Sequence, residues 1–239
     1  RYLDGIGIDE NLGGQIDLDL PFTDANGKQV SLGKYFNDKP VFLMLIYYNC
    51  PTLCSLHFQT LMNSFKKFDW NIGEKFEFVA VSIDPREGPS DAKEKKELYL
   101  NEYGRPETKG GWHFLTGKEE NIKKLAGQIG FKYAWDGNMD QYAHAAAAYS
   151  MTPKGKISYY HYGLNIDPKV LRLSLVEASE NKIGNIVDRL VLFCLQYDPN
   201  KKTYAFYAYN IMRVAAALAG LTLIFFLVRF WRRESGNEV

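Results

Sequence analysis

One junction constrains this chain more than any other stretch. An uninterrupted apolar run, residues 41–48, meets a helix-patterned segment, residues 52–68, across Asn49-Cys50-Pro51-Thr52-Leu53-Cys54. A run without apolar–polar alternation reads as a central strand covered on both faces. The junction therefore predicts a buried strand feeding directly into a helix. Cys50 and Cys54 are i and i+4 there, which puts both sulfurs on one face of the forming helix. The helix N-terminus offers unpaired N–H groups and the positive end of its dipole, which favour thiolate over thiol. A pair so placed can close as a disulfide, attack another disulfide or clamp a soft metal ion. A purely structural bridge is the blandest reading, and the strand-to-helix setting argues against it, because such bridges usually tie distant segments. Zinc is disfavoured, since a closed zinc site takes four ligands and no second cysteine pair occurs. Redox chemistry and copper stay open.

The 239 residues suffice for one domain and an appendage. A net charge of +1 with no Lys/Arg cluster argues against nucleic acid as a partner. Three cysteines are too few for a disulfide scaffold. The chain begins at Arg1 rather than Met, so a leader segment is expected upstream.

The appendage is C-terminal. Residues 214–228 form an uncharged apolar run of 15 residues, short of the roughly 20 that span a bilayer. Extending it back to about residue 205, with Arg213 snorkelling to the surface, brings it to length. Tyr204, Tyr207 and Tyr209 at one end and Trp231 at the other fit interfacial anchors. We therefore expect a transmembrane helix over 204–231. Arg229, Arg232 and Arg233 place the tail, 232–239, in the cytoplasm, and the cysteine chemistry favours the opposite compartment for the rest. The expected setting is a single-pass protein of the cytoplasmic (inner) membrane with its domain on the periplasmic side.

Taken in order, residues 1–20 read as a Gly-rich, acidic, extended lead-in. Two short strands flank the turn Asp24-Ala25-Asn26-Gly27. After the cysteine helix, residues 78–83 read as a second buried strand, ending in Asp84-Pro85. Ligand sites in open α/β sheets gather beyond the carboxyl ends of strands, so Asp84 belongs near Cys50 and Cys54. A charged helix (90–103), a strand (112–115), an amphipathic helix (118–130) and a short strand (131–135) follow. Residues 145–151 and 156–161 read as strands joined by Thr152-Pro153-Lys154-Gly155. A helix over 167–181 has Pro168 in its first turn, and 183–203 reads as a helix and linker. This order predicts an α/β, thioredoxin-like fold over 21–182, plus the one C-terminal transmembrane helix.

The chain resembles the Sco/SenC family. The resemblance covers roughly residues 18–177 and rests on four motifs in register. These are Cys50-Pro51-x-x-Cys54, Ser82-Ile83-Asp84-Pro85-Arg86, Trp112-x-Phe114-Leu115-Thr116-Gly117, and Tyr142-x-His144 ahead of Thr152-Pro153-x-Gly155. The resemblance implies one copper ion, Cu(I) or Cu(II), held by Cys50, Cys54 and His144. Two thiolates and an imidazole are a soft donor set suited to Cu(I). It also implies for Asp84 a supporting, loop-ordering role, since a carboxylate is a hard partner for Cu(I). Ala143 stands where an aspartate is common before the histidine, which predicts a more loosely held His144; Ser55 is a further departure. Related thioredoxin-type reductases carry a cis-proline where this chain has Ala145-Ala146-Ala147, which favours metal delivery over general disulfide exchange. Family members are usually anchored at the N-terminus, so a C-terminal anchor would mark a distinct subgroup.

The function so implied is that of a membrane-anchored copper chaperone for a respiratory cytochrome c oxidase. Its partners would be the copper-accepting subunit and a thiol reductant that keeps Cys50 and Cys54 open. Two alternatives remain at this level. One is a thiol–disulfide oxidoreductase acting on the acceptor's cysteines through the Cys50/Cys54 redox pair. The other is a permanent accessory subunit of a respiratory complex. His57 could approach the cysteine face of its helix but reads better as a packing or surface residue. His113 and His161 read as structural, and Cys194 as a buried thiol on an apolar helix face.

Overall fold

Six apolar residues in a row make the central strand, and their neighbours explain why none is polar. In chain order the elements are β1 (Gly7–Ile8), β2 (Pro21–Asp24), β3 (Gln29–Ser31), β4 (Val41–Ile46), α1 (Leu53–Lys66), β5 (Glu77–Ser82) and α2 (Pro89–Tyr103). They continue as β6 (Trp112–Thr116), α3 (Glu119–Gln128), β7 (Phe131–Asp136), β8 (Gln141–His144), β9 (Ala147–Met151), β10 (Ile157–Tyr162) and α4 (Pro168–Ser179). The structure, a computed structural model, describes residues 5–50, 53–67 and 69–184, together with 213, 216, 218, 220, 222 and 223; the side chains of 53–57 lie outside that description.

Seven strands form one sheet in the order β10-β9-β4-β5-β6-β2-β3. The β4, β5 and β6 strands are parallel, and β9 runs antiparallel against the other side of β4. Parallel strands beside a terminal antiparallel hairpin, with the cysteine helix leaving the central strand, are the thioredoxin-like arrangement expected. Alternate residues of β4 and β5 point to opposite faces. Leu43, Leu45, Val79 and Val81 pack with Ile122, Leu125 and Ala126 of α3. On the other face Phe42, Met44, Phe78 and Ala80 pack with Phe58, Leu61 and Phe65 of α1, Tyr99 of α2, and Leu171 and Leu175 of α4. Each face carries a helical layer, so every residue of β4 is buried and the run cannot alternate. The second face is strongly aromatic: Phe78 meets Phe42, Phe65, Trp112 and Phe114.

Local chemistry sets the ends of these elements. Asp167 caps α4, its side chain accepting from the Lys169 N–H at 2.7 Å, with Pro168 in the first turn. Gly155 closes the β9–β10 turn at φ +75°, as the Pro-x-Gly signal requires.

A second sheet lay outside the sequence reading. Strands β1, β7 and β8 form a separate three-stranded ribbon in the order β1-β7-β8. Residues 141–144 were expected only as the approach to a strand starting at 145; instead they pair with β7, His144 opposite Tyr133, and β9 begins at Ala147. The extended lead-in supplies the third strand. Asp9 donates its N–H to Gly130 O at 2.8 Å, and Lys132 pairs with the Asp9 carboxylate. Gly130 sits at φ +68°, and a Cβ there would stand 1.7 Å from Asp9 O. Only glycine lets the lead-in approach β7 this closely.

The chain divides into two compact units, Arg1–Gly184 and Asn185–Val239. Among the described residues no helix is long and apolar enough to cross a membrane. The expected span over 204–231 lies almost wholly outside them, as do the helix and linker expected over 183–203 beyond residue 184, the tail 232–239, and Cys194.

Candidate metal and thiol site

Strands β4 and β5 end level with each other. Ile46 is paired with Ser82, and the Ile83 N–H donates to Ile46 O at 2.8 Å. The segment 47–50 and the segment 83–87 therefore leave the same edge of the sheet side by side, at the carboxyl ends where ligand sites form. Cys50 lies at the end of the first segment, half-buried against the core face that includes Tyr47 and Phe131. Cys54 falls in the first turn of α1; its side chain, like that of His57, is outside the described residues.

His144 ends β8 on the same side. Its ring lies 5.7 Å from Phe131 and 6.4 Å from Tyr47, centroid to centroid. Tyr142, two residues earlier on the same face of the strand, meets Tyr47 at 5.6 Å. The ribbon thus packs its His144 edge onto the residue three before Cys50. His144 packs on Tyr47 and Phe131, and Cys50 packs against the core cluster that contains both. Among the described residues, no three of His, Cys, Asp and Glu cluster closely enough to hold a metal ion.

The tautomer of His144 follows from its contact with the Ala145 carbonyl. Nδ1 lies 3.0 Å from Ala145 O. A carbonyl only accepts, so Nδ1 carries a proton, and in the neutral ring the Nε2 lone pair is the one available to a ligand. A backbone oxygen therefore orients the ring where the sequence reading, on finding Ala143, expected a missing carboxylate to loosen it.

Asp84 is engaged with its own loop. Its Oδ1 accepts from the Arg86 N–H and Nε, both at 2.9 Å, and Oδ2 accepts from Nη2 at 2.6 Å. Burial pushes the carboxyl up, and the Arg86 hydrogen bonds and charge outweigh it, holding the group below the usual carboxylate range. Arg86 in turn lies over the Trp135 ring at 4.4 Å. Asp84 thereby ties the end of β5 to β7.

The residue that sequence reasoning missed is Glu87. Buried at 7% exposure, it accepts the Tyr48 N–H at 2.8 Å and the Asn49 N–H at 2.7 Å, and Ser82 Oγ donates to it at 2.5 Å. Burial raises its pKa, and those three hydrogen bonds oppose the rise. In the sequence it looks like one more charge at the start of a polar helix. Only the level ending of β4 and β5 could have flagged it.

His113 and His161 are structural, as expected. His161 is buried and shares Ser150 and Ser174 hydroxyls at 2.9 and 3.1 Å. His113 pairs with Glu77 at 2.9 Å and stacks on Tyr35.

The SCO1/SenC family profile matches residues 9–174. No functionally curated protein matches the chain. Among solved structures, one of a protein from Aquifex aeolicus VF5 is similar at a TM-score of 0.62 and 24% identity, covering 72% of this chain and 96% of that one. The copper-bound structure of Arabidopsis thaliana ScoI has a TM-score of 0.56 and 22% identity, over 71% and 99% of the two chains. That of BsSco, described as a member of the Sco family of cytochrome c oxidase assembly proteins, has 0.55 and 22%, over 72% and 97%. At these identities the structures show the fold, an α/β thioredoxin-like Sco fold.

Proposed function

Because the chain belongs to the SCO1/SenC family, we propose that it carries copper to a cytochrome c oxidase copper site, with Cys50, Cys54 and His144 as the ligands. The observation that carries the reading is His144: its Nδ1 proton is committed to Ala145 O, its ring packs against Tyr47 behind the Cys50 loop, and its Nε2 is left to bind. Arabidopsis ScoI was solved with copper bound, and BsSco is named among cytochrome c oxidase assembly proteins; both support the reading. Two thiolates and one imidazole suit a soft, low-coordinate ion.

In this reading copper is cargo. The reduced pair takes it up, the domain docks on the metal-free acceptor, and the ligands are exchanged stepwise for the acceptor's own. Oxidation of Cys50 and Cys54 to a disulfide removes two electrons and two protons and abolishes the thiolate ligands. Reloading then needs a thiol partner that returns both. The 204–231 segment would anchor the domain outside the cytoplasmic membrane, on the periplasmic side.

Titration of the reduced chain with Cu(I) against a competing chelator tests this. One equivalent bound, and lost in Cys50→Ser and Cys54→Ser, supports it, as does transfer to a copper-free acceptor domain. A reduced chain that binds no copper yet reduces the acceptor's disulfide would replace it with the dithiol reading.

A further inference from the structure

Strand β4 stops hydrogen-bonding before Cys50 is reached. Its ladder with β5 ends at Ile46, and beyond it the N–H groups of Tyr48 and Asn49 have no described strand to pair with. Tyr48 is 1% exposed, so water is an improbable substitute there. An unpaired N–H at such a place costs about 1–3 kcal/mol. One side chain from the neighbouring segment meets both donors: Glu87, with one carboxylate oxygen on each.

The carboxylate is itself fixed. Ser82 Oγ, from the last residue of β5, donates to the oxygen that also holds Tyr48. Asp91, in the first turn of α2, extends the same contact. Its Oδ2 accepts the Gly88 N–H at 2.7 Å and its Oδ1 accepts from Asn49 Nδ2 at 3.2 Å. The last residue before Cys50 is thus gripped at backbone and side chain by one turn that begins three residues beyond Asp84. A buried carboxylate is costly unless fully hydrogen-bonded, and this one is bonded at both oxygens. A structural role alone needs no charge here, because a hydroxyl or amide could meet a single donor; a bidentate carboxylate fixes two successive N–H groups in one orientation.

We propose that Glu87 is the positioning residue of this site: by clamping the Tyr48 and Asn49 N–H groups it sets where Cys50 presents its sulfur. Its effect on metal holding rests on the copper reading above; its effect on the Cys50 loop does not. Glu87→Gln keeps the shape but turns an N–H₂ toward one of the two backbone donors. Ser82→Ala leaves both backbone bonds in place and removes their support, together with the bond that Ser82 Oγ accepts from the Asp84 N–H at 3.0 Å.

The test uses the full chain, reduced and metal-free, for two readouts. In Glu87→Gln, amide exchange at Tyr48 and Asn49 should quicken about tenfold, one lost buried hydrogen bond, while Leu43 and Leu45 are unchanged. The alkylation rate of Cys50 at pH 7, read in a Cys54→Ser background, should shift by about threefold or more, a change of the size one hydrogen bond produces. Cu(I) affinity of the chain with both cysteines should fall about tenfold, the scale at which residues orienting a ligand act. Ser82→Ala should move all three in the same direction by less. Exchange that quickens evenly across β4 with Cys50 reactivity unchanged overturns the proposal and leaves Glu87 a stabilising residue. If Glu87→Gln does not fold, the graded response of Ser82→Ala decides, and no response at Tyr48, Asn49 or Cys50 overturns it. A wild-type chain that binds no copper refutes the copper reading, while exchange and alkylation still judge Glu87.

Discussion

Cys50 and His144 hang from two parts of the molecule that are restrained very differently. Cys50 follows β4, a strand bonded on both sides, buried at all six residues and clamped beyond its end by Glu87. His144 ends β8, the edge of a three-stranded ribbon, where all four residues are half-buried and only β7 is a partner in the ladder. Among the described residues the ribbon has no ladder bonds to the large sheet. It is attached through rings and loops: Tyr142 on Tyr47, Arg86 over Trp135, and the lead-in along β7. Free energies of local opening follow buried contacts and protected hydrogen bonds. The cysteine side is therefore the fixed half of the proposed site and the histidine side the adjustable half. Under the copper reading that division suits a carrier, which must hold its ion and also release it.

The contrast breaks most visibly in the sheet. Phe78, fully buried among Phe42, Phe65, Trp112 and Phe114, should cost about 3–5 kcal/mol as Phe78→Ala in urea melts. Cys50 and His144 should then be lost together, because the ribbon rests on the core of the large sheet through Phe131 and Tyr142.

Acid should act next, and through the sheet. Burial drives the His161 pKa down to about 3 from its ordinary 6.5. The fold keeps it neutral, and unfolding lets it take up a proton. The stability at stake is present above about pH 6.5 and is lost as pH falls toward 3, by up to ~1.4 kcal/mol per pH unit. Half-buried His113, also held below its ordinary value by desolvation against the pull of Glu77, adds in the same direction. His161→Gln should flatten the pH dependence of the urea midpoint between 6.5 and 4.5; an unchanged slope would contradict this account of His161.

The ribbon can be loosened by itself. Gly130→Ala puts a methyl into Asp9 O at a positive φ, a strain of about 1–3 kcal/mol. Hydrogen exchange should rise in β1, β7 and β8 while β4 and β5 stay protected. Equal acceleration in both sheets would mean that they open as one.

The smallest effect is expected at Trp135, 40% exposed beneath Arg86. Trp135→Ala should lower stability by about 0.5–1 kcal/mol, the scale of an exposed cation–π contact. It should nevertheless increase exchange at the β7–β8 end more than at β4.

The two halves also differed in how far the sequence revealed them. The β4 and β5 strands announced themselves because a strand covered on both faces must be apolar throughout, and the i, i+4 cysteines marked where the first one ends. The turns at Gly27 and Gly155 were legible from residues that only such turns favour. His144 was reached through resemblance alone. Its strand carries Gln141, Tyr142, Ala143 and His144, neither alternating nor β-branched, and it pairs with β7 because the chain reverses at Asp136–Asp140, not because of its own propensity. A two-residue strand such as β1 has no period to read. Glu87 was hidden for a different reason: its partners are backbone N–H groups, which leave no mark on a sequence.

The most direct measurement is the Cu(I) affinity of the reduced chain beside that of His144→Ala, both folded and both with Cys50 and Cys54 intact. The account predicts one equivalent bound by the chain and an affinity about 10–100-fold weaker in the variant. Equal affinity in the two would contradict it: copper, if bound, would then rest on the cysteines alone, and the Ala145 contact of His144 would have no part in holding an ion.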